Sequence, residues 1–247
     1  MKKVIFRIER TKPGKTLLWL WLKNSLSKMP GEVGIDLAGG GMLNKCFFKT
    51  DNYICVDMNQ IKLDEGKKNH PDAVVVNSTI QEYLDNTKNN ADVIICVQTM
   101  GVNMLFQHDE TFNVICMMYE KLKINGNMIF NIGSLGIDIN VMEKKLSKFF
   151  HGKFQKVDKR FYGAFDPSGI SKNLRWEKKD DGSIKRINKY FKTTKDSFFI
   201  SIFKKFISSI RDFLSLFIGI LMHFFPPLRT AFGIKKHKIY FCCEKKL

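Results

Sequence analysis

Val33-Gly34-Ile35-Asp36-Leu37-Ala38-Gly39-Gly40-Gly41 is an apolar run that stops in glycines, and sixteen residues after Gly41 a second run, Tyr53-Ile54-Cys55-Val56, ends in Asp57. The spacing is that of a strand, a glycine-rich turn, a helix and a second strand with a carboxylate at its tip. Glycines after a strand let the backbone approach a ligand closely, and a carboxylate on the neighbouring strand end is placed to take a ribose diol. A site for an adenosine moiety is expected here.

Three chemistries share that outline. A dinucleotide turn wants G-x-G-x-x-G, yet counting from Gly39 the third glycine position is Asn44, which disfavours a nicotinamide site. Gly14-Lys15-Thr16 resembles the end of a P-loop before the helix-like stretch from Leu17 to Leu22, but the first glycine position is Glu9, an anion where phosphate would sit. The third chemistry is a turn for S-adenosylmethionine, which carries no phosphate and needs room for a methionine and a ribose.

Asp36-Leu37-Ala38-Gly39-Gly40-Gly41 resembles the acidic-residue and glycine signature of Rossmann-like (class I) methyltransferases, with Asp57 standing as the ribose carboxylate. The resemblance continues over about residues 30 to 165. Asp72 to Asn77 reads as a third strand ending in Ser78-Thr79, and Ala91 to Thr99 as a fourth. A helix-period stretch follows, with Phe112, Val114, Ile115, Met118 and Leu122 apolar. Leu122-Lys123-Ile124-Asn125-Gly126 then resembles the turn before the family's fifth strand, with Asn125 where glycine is usual; asparagine tolerates a left-handed backbone.

The resemblance implies S-adenosylmethionine as cofactor, bound by Asp36, Leu37, Ala38, Gly39, Gly40, Asp57, Met58, Ser78, Thr79, Val97 and Gln98. Simpler roles stand beside these. Asp36 could accept backbone N–H groups within the turn, Asp57 could be a solvated strand-end carboxylate, and Ser78 or Thr79 could cap a helix from Ile80, with Glu82 in its first turn. Ala38 and Met42 occupy positions where the family usually has glycine. That departure keeps a non-catalytic, membrane-bound pseudo-methyltransferase in view.

Lys238 to Lys245 reads as a final strand, with Phe154 to Tyr162 its antiparallel partner. The expected fold is therefore α/β, a seven-stranded Rossmann-like methyltransferase sheet with helices on both faces and a basic, apolar helical insertion between the last two strands. In this reading residues 1–165 are the cofactor-binding core with an N-terminal helix, 166–236 the insertion, and 237–247 the last strand of the core. A length of 247 residues with 44% hydrophobic content suits one large core.

Charge is unevenly spread. Residues 1–150 hold 19 Lys and Arg against 16 Asp and Glu, whereas residues 151–247 hold 22 against 8, so +14 of the net +17 lies in the C-terminal part. Residues 166–195 are polar and lysine-rich, a long loop or short hairpin about Lys178-Lys179-Asp180-Asp181-Gly182. From Phe198 the chain turns apolar and aromatic, with Phe199, Ile202, Phe203, Phe206, Ile210 and Phe213 at helical spacing. The uncharged run Phe213 to Phe225 is thirteen residues, short of the roughly 18 to 20 that span a bilayer, and Pro226-Pro227 ends it. Such a helix suits an anionic membrane surface, through residues 198–227, or a lid or dimer contact.

The six cysteines form no C-x-x-C pair, and neither zinc nor a disulfide is implied. No sustained apolar signal segment opens the chain, because Arg7, Glu9 and Arg10 interrupt it. A cytoplasmic protein, peripheral on the inner membrane face, is the expectation. For the acceptor, His108, Tyr162 and Asp166 are the candidate bases. Family members often carry Leu-Glu-His after the fourth strand; Met100-Gly101-Val102 stand there instead, so no base is carried over. The acceptor is expected to be a small or lipid-linked molecule, methylated on oxygen as in surface-glycan or lipid-precursor tailoring. RNA is the alternative, with the basic segment tracking phosphates.

Overall fold

Buried parallel strands need apolar side chains on both faces, and the runs rich in valine and isoleucine supply them. The structure, a computed structural model, describes residues 21–88, 90–101, 106, 108–134, 136–162, 174–178, 184–188 and 238–246. Nine strands are present among them: β1 (Pro30–Leu37), β2 (Lys49–Asp57), β3 (Val74–Asn77), β4 (Ala91–Cys96), β5 (Leu122–Gly133), β6 (Phe154–Tyr162), β7 (Leu174–Lys178), β8 (Ile184–Asn188) and β9 (Lys238–Lys245). Helical residues 21–26 (α1) precede them. The other helices are α2 (Gln60–Asn69), α3 (Ile80–Asn86), α4 (His108–Glu120) and α5 (Ile139–Phe150).

The chain divides into two units. One comprises Met1–Phe6, Leu18–Tyr162 and Lys236–Leu247; the other comprises Arg7–Leu17 and Gly163–Lys235. In the first, a seven-stranded mixed sheet runs β3-β2-β1-β4-β5-β9-β6. Strands β1 to β5 pair in parallel, and β9 lies antiparallel between β5 and β6. A seven-stranded mixed sheet in an α/β unit is what the sequence reading expected. In the second unit, β7 and β8 form an antiparallel hairpin, so the hairpin is the correct one of the two readings of residues 166–195. The apolar segment 198–227 and the P-loop-like Gly14-Lys15-Thr16 lie outside the described residues.

Period-two alternation sorts the side chains between the two faces of the sheet. Ile35, Leu37, Ile54, Val56, Ile94, Cys96, Met128 and Phe130 share a core with residues of α3, α4 and α5, among them Leu84, Val114, Ile115, Met118, Met142 and Leu146. On the opposite face Val93, Ile95, Val97, Ile129 and Tyr240 meet Trp21, Leu22, Leu26 and Phe47, while Tyr53 and Cys55 meet Leu63 of α2.

The helix expected between the glycine turn and β2 does not form. A single 3-10 turn, Lys45–Phe47, takes its place. Strand β2 begins at Lys49 because Lys49 to Asn52 pair with the start of β1, from Pro30↔Lys49 through Val33↔Asn52, which leaves too few residues for a helix. Phe47 fills part of the sheet face that such a helix would cover. At the opposite end of the strands Asp92 ties β1 to β4. Its Oδ2 accepts the N–H groups of Glu32 and Val33, both at 2.9 Å, and Lys123 Nζ at 3.0 Å. Asn125 is left-handed at φ 62°, as the sequence reading required, but it lies within β5, where the register shifts between Ala91↔Leu122 and Val93↔Asn127, and not in a turn before the strand.

Candidate functional site

The glycine turn leaves β1 between the C-terminal ends of β2 and β4, because Leu37 pairs with both Val56 and Cys96. Three alternate residues of the turn take positive φ: Ala38 at 56°, Gly40 at 51° and Met42 at 59°. Alanine and methionine thus adopt the backbone usually left to glycine, at a cost of about 1–2 kcal/mol each. The Met42 side chain is fully buried against Tyr53, Cys55 and Leu63, and Ala38 packs on the core beneath α3 and α4; both anchor the turn from below. Gly39 is required for another reason. A Cβ there would lie 2.7 Å from Cys55 Sγ and 2.8 Å from Asp36 Cγ.

Asp57 closes the turn. Its Oδ2 accepts the Gly40 N–H at 2.9 Å and its Oδ1 the Asn59 N–H at 2.8 Å. A carboxylate oxygen accepts more than one hydrogen bond, so each retains capacity for a ribose hydroxyl. The carbonyl of Asp57 accepts Asn77 Nδ2 at 3.1 Å and the Ser78 N–H at 3.3 Å, which draws the end of β3 to the same place. Met58 follows with its side chain 70% exposed, an apolar surface left open beside the carboxylate.

Thr79 is the N-cap of α3, its hydroxyl accepting the Glu82 N–H at 3.2 Å, and Ser78 Oγ donates to Glu82 Oε2 at 3.0 Å. Of the two, Thr79 takes the expected capping role. Thr79→Ala is expected to destabilise the fold by about 1 kcal/mol, read from the midpoint of urea unfolding.

Asp36 does not take the simpler of its two expected roles, that of a turn brace. Its carboxylate does not accept turn N–H groups; it accepts Tyr53 OH at 2.8 Å and Asn44 Nδ2 at 3.2 Å. It is 1% exposed. Burial pushes its pKa up from 3.8 to about 7, against the two hydrogen bonds that lower it and with the Asp57 charge adding to the rise. Burial and the Asp36 charge likewise raise the Tyr53 phenol, which remains a neutral donor. Period-two spacing puts Tyr53 and Cys55 on the same face as Asp36, since Asp36 pairs with Cys55. Tyr53 and Asn44 were missed in the sequence, although alternation along β2 signals the first.

A raised carboxylate makes the folded state bind more protons than the unfolded chain between its two pKa values, so stability falls as pH rises from about 4 to about 7. Asp36→Asn is expected to raise the melting temperature of the unliganded protein at pH 8 and to leave it nearly unchanged near pH 4.

At the exit of β4, Val97 is buried, and Gln98 takes φ 62° with its N–H donating to Asn131 Oδ1 of β5 at 2.7 Å. The Gly133 N–H donates to the Met100 carbonyl at 2.9 Å. Gly101, at φ 58°, lies so close that a Cβ would meet the Gly133 carbonyl oxygen at 2.3 Å. Asn131 also escaped the sequence reading, since nothing in a strand pattern marks a buried amide as a loop anchor.

The fold gathers Asp36 to Gly40, Asp57, Met58 and Ser78-Thr79 about the ends of β1, β2 and β3, with Val97 and Gln98 at the end of the adjoining β4. Of the three candidate bases, Tyr162 is not gathered there. His108 opens α4, with Nδ1 3.7 Å from Asp109 Oδ1 and Nε2 buried without a hydrogen-bond partner. Tyr162 ends β6, three strand spacings or about 14 Å from β4 across the sheet. Asp166 lies outside the described residues.

No family model and no curated protein matches the sequence. Solved structures do resemble it. A SAM-dependent methyltransferase from Archaeoglobus fulgidus aligns with a TM-score of 0.51 at 13% identity, over 96% of this chain and 97% of that one. A putative SAM-dependent methyltransferase from Streptococcus mutans aligns with a TM-score of 0.51 at 12% identity, over 92% of this chain and 48% of that one. At such identities the likeness is one of fold.

Proposed function

We propose that this chain is an S-adenosylmethionine-dependent methyltransferase. The observation that carries the reading is the closure of the glycine turn on Asp57, with Gly40 N–H held at 2.9 Å and carboxylate capacity left on both oxygens. A ribose diol fits that carboxylate, and the exposed Met58 offers an apolar surface for a base beside it. The left-handed Ala38 and Met42 keep the backbone path of a three-glycine turn, which argues against the non-catalytic reading. When bound, S-adenosylmethionine supplies an electrophilic methyl carbon on a sulfonium. The chain's part is to orient it for in-line attack, and such positioning supplies much of the acceleration in a displacement.

Titration calorimetry of the full chain with S-adenosylmethionine and S-adenosylhomocysteine tests this directly. Saturable binding of one ligand per chain is expected. Absence of heat and of competition with either ligand would sink the reading.

For the acceptor, we propose a membrane-proximal or lipid-linked molecule methylated on oxygen, a surface glycan or lipid precursor. Support comes from the sequence of residues 198–227 and the surrounding +14 charge. The same reading places the protein on the cytoplasmic face of a membrane as a peripheral protein. Among the described residues no helix is long and apolar enough to cross one. Co-sedimentation with vesicles of phosphatidylglycerol and phosphatidylcholine is expected to retain the full chain and to lose the variant lacking 198–227. Equal binding by both would remove the membrane from the proposal. RNA methylation, the second reading, draws on the same charge; methyl transfer to total RNA but not to a lipid extract would favour it.

A further inference from the structure

Among the described residues, the buried carboxyl group of Asp36 has no cation to pair with. Its hydrogen-bond donors, Tyr53 OH at 2.8 Å and Asn44 Nδ2 at 3.2 Å, are both neutral. Of the groups around it, the Asp57 charge opposes ionisation, while the hydrogen bonds from Tyr53 and Asn44 favour it. From β2 come Tyr53, the Cys55 thiol and the Asp57 carboxylate; from β4 comes the Cys96 thiol, which the Asp36 charge and burial together raise to about 12. Helix α2 contributes the apolar Leu63, and its Lys62 reaches over Gly40 on the outer side of the turn, with Cδ 3.5 Å from where a Cβ would stand. The nearest lysine along the turn, Lys45, is committed to Asp72 at 2.7 Å.

This carboxyl group lies directly under the turn. A Cβ on Gly39 would sit 2.8 Å from Asp36 Cγ, so a single residue of backbone separates the carboxyl from whatever rests on the glycines. A buried charge without a partner is unfavourable until a cation arrives, and in a medium of low dielectric the cation need not touch it to matter. We propose that the buried Asp36 carboxylate is the counter-charge through which the glycine turn distinguishes a sulfonium ligand from the corresponding neutral thioether. The inference rests on the proposed donor site and goes beyond it, because it assigns a means of favouring S-adenosylmethionine over its spent product.

Two consequences follow from the chemistry. With its pKa near 7, Asp36 is partly protonated in the unliganded protein at neutral pH. The arriving sulfonium favours the ionised form, so a proton leaves Asp36 for solvent as the donor binds; the thioether drives no such release. Donor affinity therefore rises with pH through the neutral range, and product affinity stays flat.

The experiment is calorimetry of the full chain with S-adenosylmethionine and S-adenosylhomocysteine at pH 6, pH 7 and pH 8, with phosphate and Tris compared at pH 7, for the wild type and Asp36→Asn. Comparing the two proteins cancels titration of the ligands' own amino groups. The wild type is expected to gain about tenfold in donor affinity over that range relative to Asp36→Asn, with product affinity alike in both proteins to within about twofold. Its donor-binding enthalpy is also expected to depend on the buffer at pH 7, reporting the released proton. An equal loss of both ligands in Asp36→Asn would overturn the proposal and leave Asp36 as a brace for the turn. An unchanged donor-to-product ratio would overturn it as well. Failure of the wild type to bind either ligand would overturn both this proposal and the donor-site reading beneath it.

Discussion

Asp57→Ala is expected to weaken binding of S-adenosylmethionine by about a hundredfold or more. Each hydroxyl held by a carboxylate contributes about 1.5–3 kcal/mol, and a ribose diol presents two of them, where 1.4 kcal/mol is a factor of ten. The substitution also frees the N–H groups of Gly40 and Asn59, which Asp57 accepts at 2.9 Å and 2.8 Å, so the turn loses the clamp that shapes it. Asp57→Asn is no remedy. Both carboxylate oxygens face a backbone donor, and one of them would become an amide N–H opposite an N–H. Calorimetry checks the pair. Retention of affinity to within about threefold in Asp57→Ala would mean that the ligand seats elsewhere.

Gly101→Ala is expected to cost about 3 kcal/mol of stability and to lower the melting temperature by roughly 6–12 °C. Two penalties combine there. The backbone is left-handed at φ 58°, and the added Cβ would meet the Gly133 carbonyl oxygen at 2.3 Å, an atom that cannot rotate aside. Gly136→Ala separates the two contributions. Gly136 has φ 72° with nothing within 4 Å of its Cβ position, so the strain is present without the collision and a loss of only about 1 kcal/mol is expected. Similar losses in the two variants would show that the β4 exit yields to the intruding methyl. Because Met100 and Gly101 hold the segment after Gln98 against the end of β5, Gly101→Ala is also expected to weaken ligand binding at the site.

Much of the sheet was legible because burial on both faces forces a strand to advertise itself. The runs ending at Leu37, Asp57, Asn77 and Cys96 carry almost no charge in their buried stretches, and glycine, asparagine and serine mark where the first three stop. The antiparallel pairing of Phe154 to Tyr162 with Lys238 to Lys245, some 75 residues apart, was expected from the family resemblance and not from burial, since the edge strand β6 carries Lys156, Asp158, Lys159 and Arg160. Asn125 illustrates a different kind of legibility. Its ability to sit at φ 62° is a property of its own side chain and needs no knowledge of the neighbours.

The missing helix after the glycine turn shows where local reasoning fails. Nothing within residues 42 to 52 forbids a helical turn, and one 3-10 turn does form; the length of the β1–β2 pairing takes the remaining residues. The surroundings of Asp36 were equally hidden. An aspartate before a glycine turn reads the same whether its oxygens face a ligand, the turn or a buried phenol, and the choice depends on Tyr53 lying two positions before the residue paired with it. His108 and Tyr162 looked alike as bases in the chain. In the sheet, β5 and β9 stand between β4 and the strand that carries Tyr162.

Chain-local chemistry thus settles that there is a glycine turn, that strands enter and leave it, and that a carboxylate waits at the next strand end, because these depend on periodicity and on what each backbone position tolerates. Which groups neutralise, clamp or crowd that turn depends on register and burial. Those are properties of strands brought together from distant parts of the chain. The partnership of Asp36 with Tyr53, the clamp from Asp57 to Gly40 and the brace from Asn131 to Gln98 all arise there, since each joins residues that meet only once the sheet has formed.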